Sequence, residues 1–288
     1  MARILLVEDS PTQAAMVQRL LQASGHDVVL RCDGQQALDH LASESVDLVI
    51  TDLMMPHVDG SELTRQVVAN TPHIPVVVIT AHGAEGPAVD ALADGAVNFV
   101  PKTLLNARLP LVVCTLWERI RIDRQTTKSG ISLLVPELVF ELDNDMRSIW
   151  QIANYVQQTL AMANAVDTNS RFRFVTAVAS GLINAICYGN LDLRDSESAV
   201  IEFMRGDFVP KVVEHKVRLV ISVGVEDSRV SISHDGPGVM TRTSPAPGTP
   251  ESFDLEDCRG MLLMTSFMDQ VIFNQTRNEV VMLKKHQK

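Results

Sequence analysis

Five polar residues stand where short apolar runs end. Glu8 and Asp9 follow Ile4 to Val7, Asp52 follows Asp47 to Thr51, Thr80 closes Val76 to Thr80, and Lys102 comes just after Val97 to Val100. If those runs are strands of one parallel sheet, their carboxyl ends form a single crevice, which is where open α/β sheets hold ligands. Three carboxylates gathered there repel one another, and the usual relief is a hard cation with oxygen ligands, Mg²⁺ first among them. With a hydroxyl and an ammonium beside them, the set can receive a phosphoryl group. It supplies a carboxylate nucleophile, a metal for the equatorial oxygens and two donors for the rest. Asp9 alone reads as a helix cap; the five positions together favour the phosphoryl site.

The elements that would position this set alternate along residues 1–122. Apolar runs buried on both faces are separated by amphipathic stretches at Pro11 to Ala23, Gln35 to Ala42, Ser61 to Asn70, Gly86 to Ala93 and Leu104 to Arg121. His26 to Leu30 supplies a weaker fifth strand. Alternation of this kind predicts an α/β domain, a doubly wound five-stranded parallel sheet of flavodoxin-like type. Pro11 suits a first helical position, where its missing N–H costs nothing. Residues 123–136 are polar with no hydrophobic period and read as a linker, into which the last helix of the first domain can run. Residues 137–288 change order, with two helical stretches, Asp143 to Ala165 and Arg171 to Tyr188, followed by hairpins. One pairs Val217 to Val225 with Arg229 to Ser233, the other Gln270 to Phe273 with Glu279 to Leu283, which predicts an α+β domain. Thr241 to Pro250, rich in Pro, Ser and Thr, reads as a mobile loop. Trp150, Tyr155, Met261, Met264 and Met268 read as core.

The set Glu8, Asp9, Asp52, Thr80 and Lys102 at these strand ends resembles the receiver domains of response regulators, over about the first 120 residues. The resemblance implies Asp52 as phosphoacceptor and Glu8, Asp9 and Asp52 as metal carboxylates, with Met54 lending a backbone carbonyl. It also implies that Thr80 and Phe99 form the pair that rearranges on phosphorylation, and that Lys102 contacts the phosphoryl group. Pro101 precedes Lys102 and Thr103 follows it, where many receivers have Lys-Pro.

In the second half, Gly181 to Asn190 resembles the N-box helix of GHKL ATPases, above all the anti-sigma-factor serine kinases. His234-Asp-Gly-Pro-Gly238 stands where the first glycine box falls, and Cys258-Arg-Gly-Met-Leu-Leu-Met264 where the second does. The resemblance implies an α+β sandwich of GHKL type over roughly 145 residues. It assigns a degenerate nucleotide site to Asn184, Asp235, Gly236, Gly238 and Gly260. Three groups that the family's chemistry needs are replaced. Ser180 stands where the serine kinases carry a glutamate base, and a serine takes up no proton at neutral pH. His234 aligns with the adenine-binding aspartate, with Asp235 one residue off and so on the other strand face. Cys258 replaces the glycine that lets backbone approach phosphate.

The expected function is therefore that of a response regulator phosphorylated on Asp52. Its degenerate GHKL-type output would act as a phosphorylation-gated, partner-switching protein-binding module, a pseudokinase that binds ATP weakly or not at all. The alternative is an active ATP-dependent serine/threonine kinase under receiver control. Implied partners are a sensor histidine kinase or phosphotransfer protein upstream, and an anti-sigma-factor antagonist, sigma factor or similar regulator downstream, with a homodimer among the assemblies. A net charge of -10 and a pI near 5.2 argue against DNA as a direct partner. Four scattered cysteines and no apolar run of membrane length place the chain in the cytoplasm.

Overall fold

The computed structural model describes residues 1–81, 85–126, 137–163, 166–193, 196–208, 214–224, 226–236, 256–276 and 278–286. They divide into two compact units, Met1–Ile120 and Arg121–Lys288.

The first unit winds β1 (Arg3–Val7), α1 (Pro11–Ala23), β2 (Asp27–Arg31), α2 (Gly34–Ser43), β3 (Leu48–Asp52), α3 (Gly60–Asn70), β4 (Val76–Thr80), α4 (Glu85–Ala93), β5 (Asn98–Pro101) and α5 (Leu105–Thr126). The strands pair in parallel in the order β2-β1-β3-β4-β5, the doubly wound sheet the alternation predicts. β3 and β4 are buried at every residue, because helices cover both faces of a parallel sheet. Asp33 and Asp59 cap α2 and α3 through Gln36 N and Glu62 N, both at 2.8 Å, meeting donors a helix start leaves open. The apolar stripe of α5, Leu105, Leu109, Val112, Leu116 and Ile120, is buried throughout. The helix runs to Thr126, past the expected end at Arg121, so the division between units falls inside it. Of the expected linker, 123–126 is helical and 127–136 lies outside the described residues.

The second unit contains β6 (Leu138–Leu142), α6 (Met146–Ala163), α7 (Thr168–Asn184) with a π-helical turn Ala185–Asn190, α8 (Glu197–Arg205), β7 (Val217–Val223), β8 (Asp227–His234), α9 (Glu256–Phe267), β9 (Gln270–Phe273) and β10 (Glu279–Lys285). All neighbouring strands are antiparallel, in the order β6-β7-β8-β10-β9, so the unit is α+β. Alternate residues face inward: Val217, Leu219 and Ile221 on β7, Val230 and Ile232 on β8, Val280 and Met282 on β10 are buried. Gly181 of α7 lies so close that a Cβ there would come within 2.7 Å of Ile232 Cδ1. The stretch Thr168–Asn190 is apolar enough to cross a membrane, yet 78% of its most apolar window is buried within the fold, which makes it a core helix.

Three elements depart from the sequence reading. β6 and α8 were not expected. β6 alternates weakly, with Phe140 half-buried between exposed Val139 and Glu141. α8 is one short helix with a clear Ser196 cap on Ala199 N at 3.2 Å and Gly206 in the left-handed region after it (φ 80°). The π-turn is invisible to a 3.6-residue period. Tyr155 is a further correction, since it is 46% exposed and lays its ring edge-on to Phe140, with centroids 5.6 Å apart. Thr241 to Pro250 lies outside the described residues.

Candidate functional site

The parallel sheet brings its polar strand ends together. Glu8, Asp9 and Asp52 offer carboxylate oxygens that all lie within 4.8 Å of one another. Lys102 Nζ donates to Asp52 Oδ2 at 2.7 Å and stands 3.7 Å from Glu8 Oε2. Glu8, Asp52 and Thr80 are buried, Asp9 is exposed, and Lys102 is half-buried. The crevice thus has a dry floor and one wet wall. Met54 follows Asp52 at the rim, its side chain exposed and its N–H 3.4 Å from Asp52 Oδ1. Phe99 is wholly buried, paired across the sheet with Val78, two positions along the register from the Thr80 and Pro101 pair.

The position of Asp52 depends on what packs behind it. Gly60, at the start of α3, sits so near that a Cβ there would fall 2.2 Å from the Asp52 carbonyl oxygen, and Gly60 N donates to Leu53 O at 2.9 Å. Only glycine permits this approach of helix to strand. Thr51 Oγ1 donates to the same Asp52 carbonyl at 2.8 Å.

The electrostatics are those of a site short of positive charge. Burial, and after it the charge of Asp52, push the Glu8 carboxyl above its ordinary range; the Ser10 N–H at 3.1 Å and Lys102 pull the other way without prevailing. Glu8 Oε2 is buried and accepts no hydrogen bond from the described residues. One ammonium against three carboxylates, with a buried oxygen lacking a donor, fits a hard divalent cation with oxygen ligands. Glu8, Asp9 and Asp52 would hold it.

The second unit places its expected site residues differently. Asn184, on α7, and His234, at the end of β8, line one small cavity of about 30 Å³ with Gly181, Ile232, Met264 and Val280. That is room for a water or two, far below the roughly 300–1,000 Å³ of small-molecule pockets. The His234 ring, which lines this cavity, also lies so close over Gly189 that a Cβ there would meet its Nε2 at 2.6 Å. Asp235 is not in the cavity. It is exposed, and its Oδ2 accepts from Lys216 N at 2.8 Å, on the face opposite His234. Gly236 is pressed onto Gly189, and its N–H donates to Asn190 Oδ1 at 3.0 Å. Asn190 Nδ2 in turn donates to Asn144 Oδ1 at 2.8 Å, so a buried amide network pins this turn. Cys258 and Gly260 lie within the first turns of α9, and Gly260 packs on the Asn184 amide. Ser180 is buried on α7, and Gly238 lies outside the described residues. Sequence reasoning missed the packing of the His234 ring on Gly189 and Asn144 and Asn190 as a clamp. Only Gly189, two residues beyond Cys187, hinted at a close approach.

Residues 4–113 match the family model of the response regulator receiver domain. The response regulator MprA of Mycolicibacterium vanbaalenii is 38% identical over 100 residues, 35% of this chain and 43% of that protein. The transcriptional regulatory protein ZraR of Escherichia coli is 36% identical over 101 residues, 35% of this chain and 23% of that protein. The chain thus spans under half the length of these curated relatives. A receiver domain from Clostridium thermocellum is similar to it with a TM-score of 0.41 and 27% identity, over 42% of this chain and 98% of that one.

Proposed function

We propose, taking residues 4–113 as a response regulator receiver domain, that a phosphoryl group carried on Asp52 controls a second domain that binds proteins and not nucleotide. The observation that carries the first half is the convergence of Asp52, Glu8, Asp9 and Lys102 at the strand ends. Asp52 Oδ is the nucleophile, supplied with its phosphoryl group by a sensor histidine kinase or phosphotransfer protein. A bound Mg²⁺ would neutralise the phosphoryl oxygens. Lys102, already on Asp52 Oδ2, then serves a phosphoryl oxygen. Thr80, buried at the neighbouring strand end, turns its hydroxyl to the new acceptor, and Phe99 responds in the space behind it.

The second domain, an antiparallel sheet with α7 and α9 against it, is read as a degenerate GHKL-type fold. The small volume of the cavity that His234 and Asn184 line, about 30 Å³, supports a pseudokinase over an ATP-dependent serine/threonine kinase. Ser180 adds support, since α7 carries no carboxylate to act as base. An anti-sigma-factor antagonist, a sigma factor or a similar regulator is the partner class that reading suggests. The net charge of -10 weighs against DNA, and cysteines held as thiols, with no disulfide among them, accord with a cytoplasmic setting. Calorimetry of the full chain with ATP and saturating Mg²⁺ tests the reading. No heat is expected from the natural chain, and binding is expected to return in the Ser180→Glu, His234→Asp, Cys258→Gly variant. Micromolar ATP binding by the natural chain would restore the kinase reading.

A further inference from the structure

The second unit's sheet has one face against helices and one open, and the open face carries an apolar row. Reading across the registers, Val139 of β6 pairs with Val220 of β7, Val220 with Ser231 of β8, Ser231 with Val281 of β10, and Val281 with Ile272 of β9. All five point away from the buried residues Leu219, Val230, Ile232 and Met282. Val139 and Ile272, at the two edges, are 52% and 59% exposed, and the three between them are half-buried. Beside this row runs a charged one, in which Glu141 pairs with Arg218, Arg218 with Ser233, and Ser233 with Glu279.

We propose that this face is an interface with a second copy of the chain, the two sheets packed face to face about a two-fold axis along β8 at Ser231. The inference is independent of the pseudokinase reading. The order of residue types selects the partner, because the row reads the same from either end: branched aliphatic, Val, Ser, Val, branched aliphatic. The two-fold lays Val139 on the second copy's Ile272, Val220 on its Val281 and Ser231 on its Ser231, which is the self-complementarity an isologous contact requires. The same operation sets Arg218 against the second copy's Glu279, twice over, and Glu141 against the uncharged Asn274. Glu279 is held for this role by Ser231 Oγ, which donates to its Oε1 at 2.8 Å. The operation also sets Arg229 against its own copy. That arginine is exposed, and its long stem carries the charge to solvent at the rim. Sheets packed in this way lie about 10 Å apart, which places the two Ser231 side chains facing each other on the axis.

The test is site-specific cross-linking of the full chain. Cys32 and Cys114, the two exposed cysteines, are changed to serine, and Ser231→Cys is added. A short bismaleimide is expected to give a covalent dimer, which Val220→Lys abolishes. Arg218→Glu and Glu279→Arg are each expected to weaken association at least tenfold by sedimentation, and the double swap to restore it. That rescue separates a lost contact from a misfolded variant. Arg229→Ser is expected to tighten the dimer. If the thiol introduced by Ser231→Cys reacts fully with a monofunctional maleimide yet forms no cross-link, the proposal is overturned. So it is by a dimer by mass that ignores both the cross-linker and the charge swap, since that dimer must form elsewhere, on the receiver or on another face.

Discussion

The chemistry of the first unit comes down to a few side chains whose charges do not balance. Glu8 carries the imbalance: buried, close to Asp52, and with an oxygen that accepts no hydrogen bond from the described residues. Its raised carboxyl means that the folded state holds the proton more firmly than the unfolded chain does. The associated stability is present below its unfolded value near 4.5 and is lost as pH rises through the folded one. At neutral pH, Glu8 therefore costs the metal-free fold. Glu8→Gln is expected to stabilise the metal-free chain at neutral pH and to weaken Mg²⁺ binding at least tenfold, read by urea denaturation with and without the ion. Asp52→Asn is expected to abolish labelling by a small-molecule phosphodonor, read by intact mass, while leaving the fold in place. His40 works in the opposite direction from Glu8. Burial first, then the Arg31 guanidinium 3.0 Å from its Nδ1, hold it below its ordinary 6.5, with Glu44 opposing. Its contribution to stability is full above about pH 6.5 and is lost as pH falls from there through its folded value. The first unit's melting temperature should drop between pH 7.5 and 5.5, less steeply in His40→Gln; parallel slopes would show that His40 is not the source.

At the scale of elements, the sequence was easiest to read where burial is two-sided. β3 and β4 are continuous apolar runs, and a polar residue at the end of such a run is conspicuous, so Asp52 and Thr80 stood out at once. β6 has one half-covered face and Phe140 between two exposed residues, a pattern too faint to separate from a loop. In the second unit the types of Ser180, His234 and Cys258 were readable as losses. What replaces the lost groups was not, because a histidine ring resting on Gly189 is a contact between β8 and the π-turn with no local signature. The end of α5 shows the same limit. Polar residues after Arg121 read as linker, yet Asp123 is buried and accepts from Arg171 Nε at 2.8 Å and from Gln157 Nε2 at 3.2 Å. Arg171 also donates to Val166 O and to Thr168 Oγ1, so the cluster ties the end of α5 to α6 and α7. Removing one partner of a buried pair strands the other charge. Asp123→Ala is therefore expected to cost the second unit about 3–5 kcal/mol, and a loss under about 1 kcal/mol by chemical denaturation, the scale of an exposed pair, would show the pair to be dispensable.

For the whole molecule, the consequence is that α5 belongs to both units. Its residues 105–120 complete the first and its last six, 121–126, are counted in the second, where Asp123 is clamped. A helix propagates order along its own hydrogen bonds, so fixing one part lowers the cost of ordering the next. Two units joined by an unstructured linker would unfold independently, whereas two that share a helix should each report on the other's ligand. Mg²⁺ with beryllium fluoride, a phosphoryl mimic that binds only the folded receiver site, should raise the first unit's transition by linkage. In the natural chain the second unit's transition should rise with it, by a smaller amount. Asp123→Ala should leave the first shift intact and abolish the second, because the clamp that admits α5 to the second unit is gone. Differential scanning calorimetry of both proteins, with and without the mimic, decides the matter. If the second transition stays fixed in the natural chain, phosphorylation does not act through α5 order, and its signal must leave the receiver by another surface.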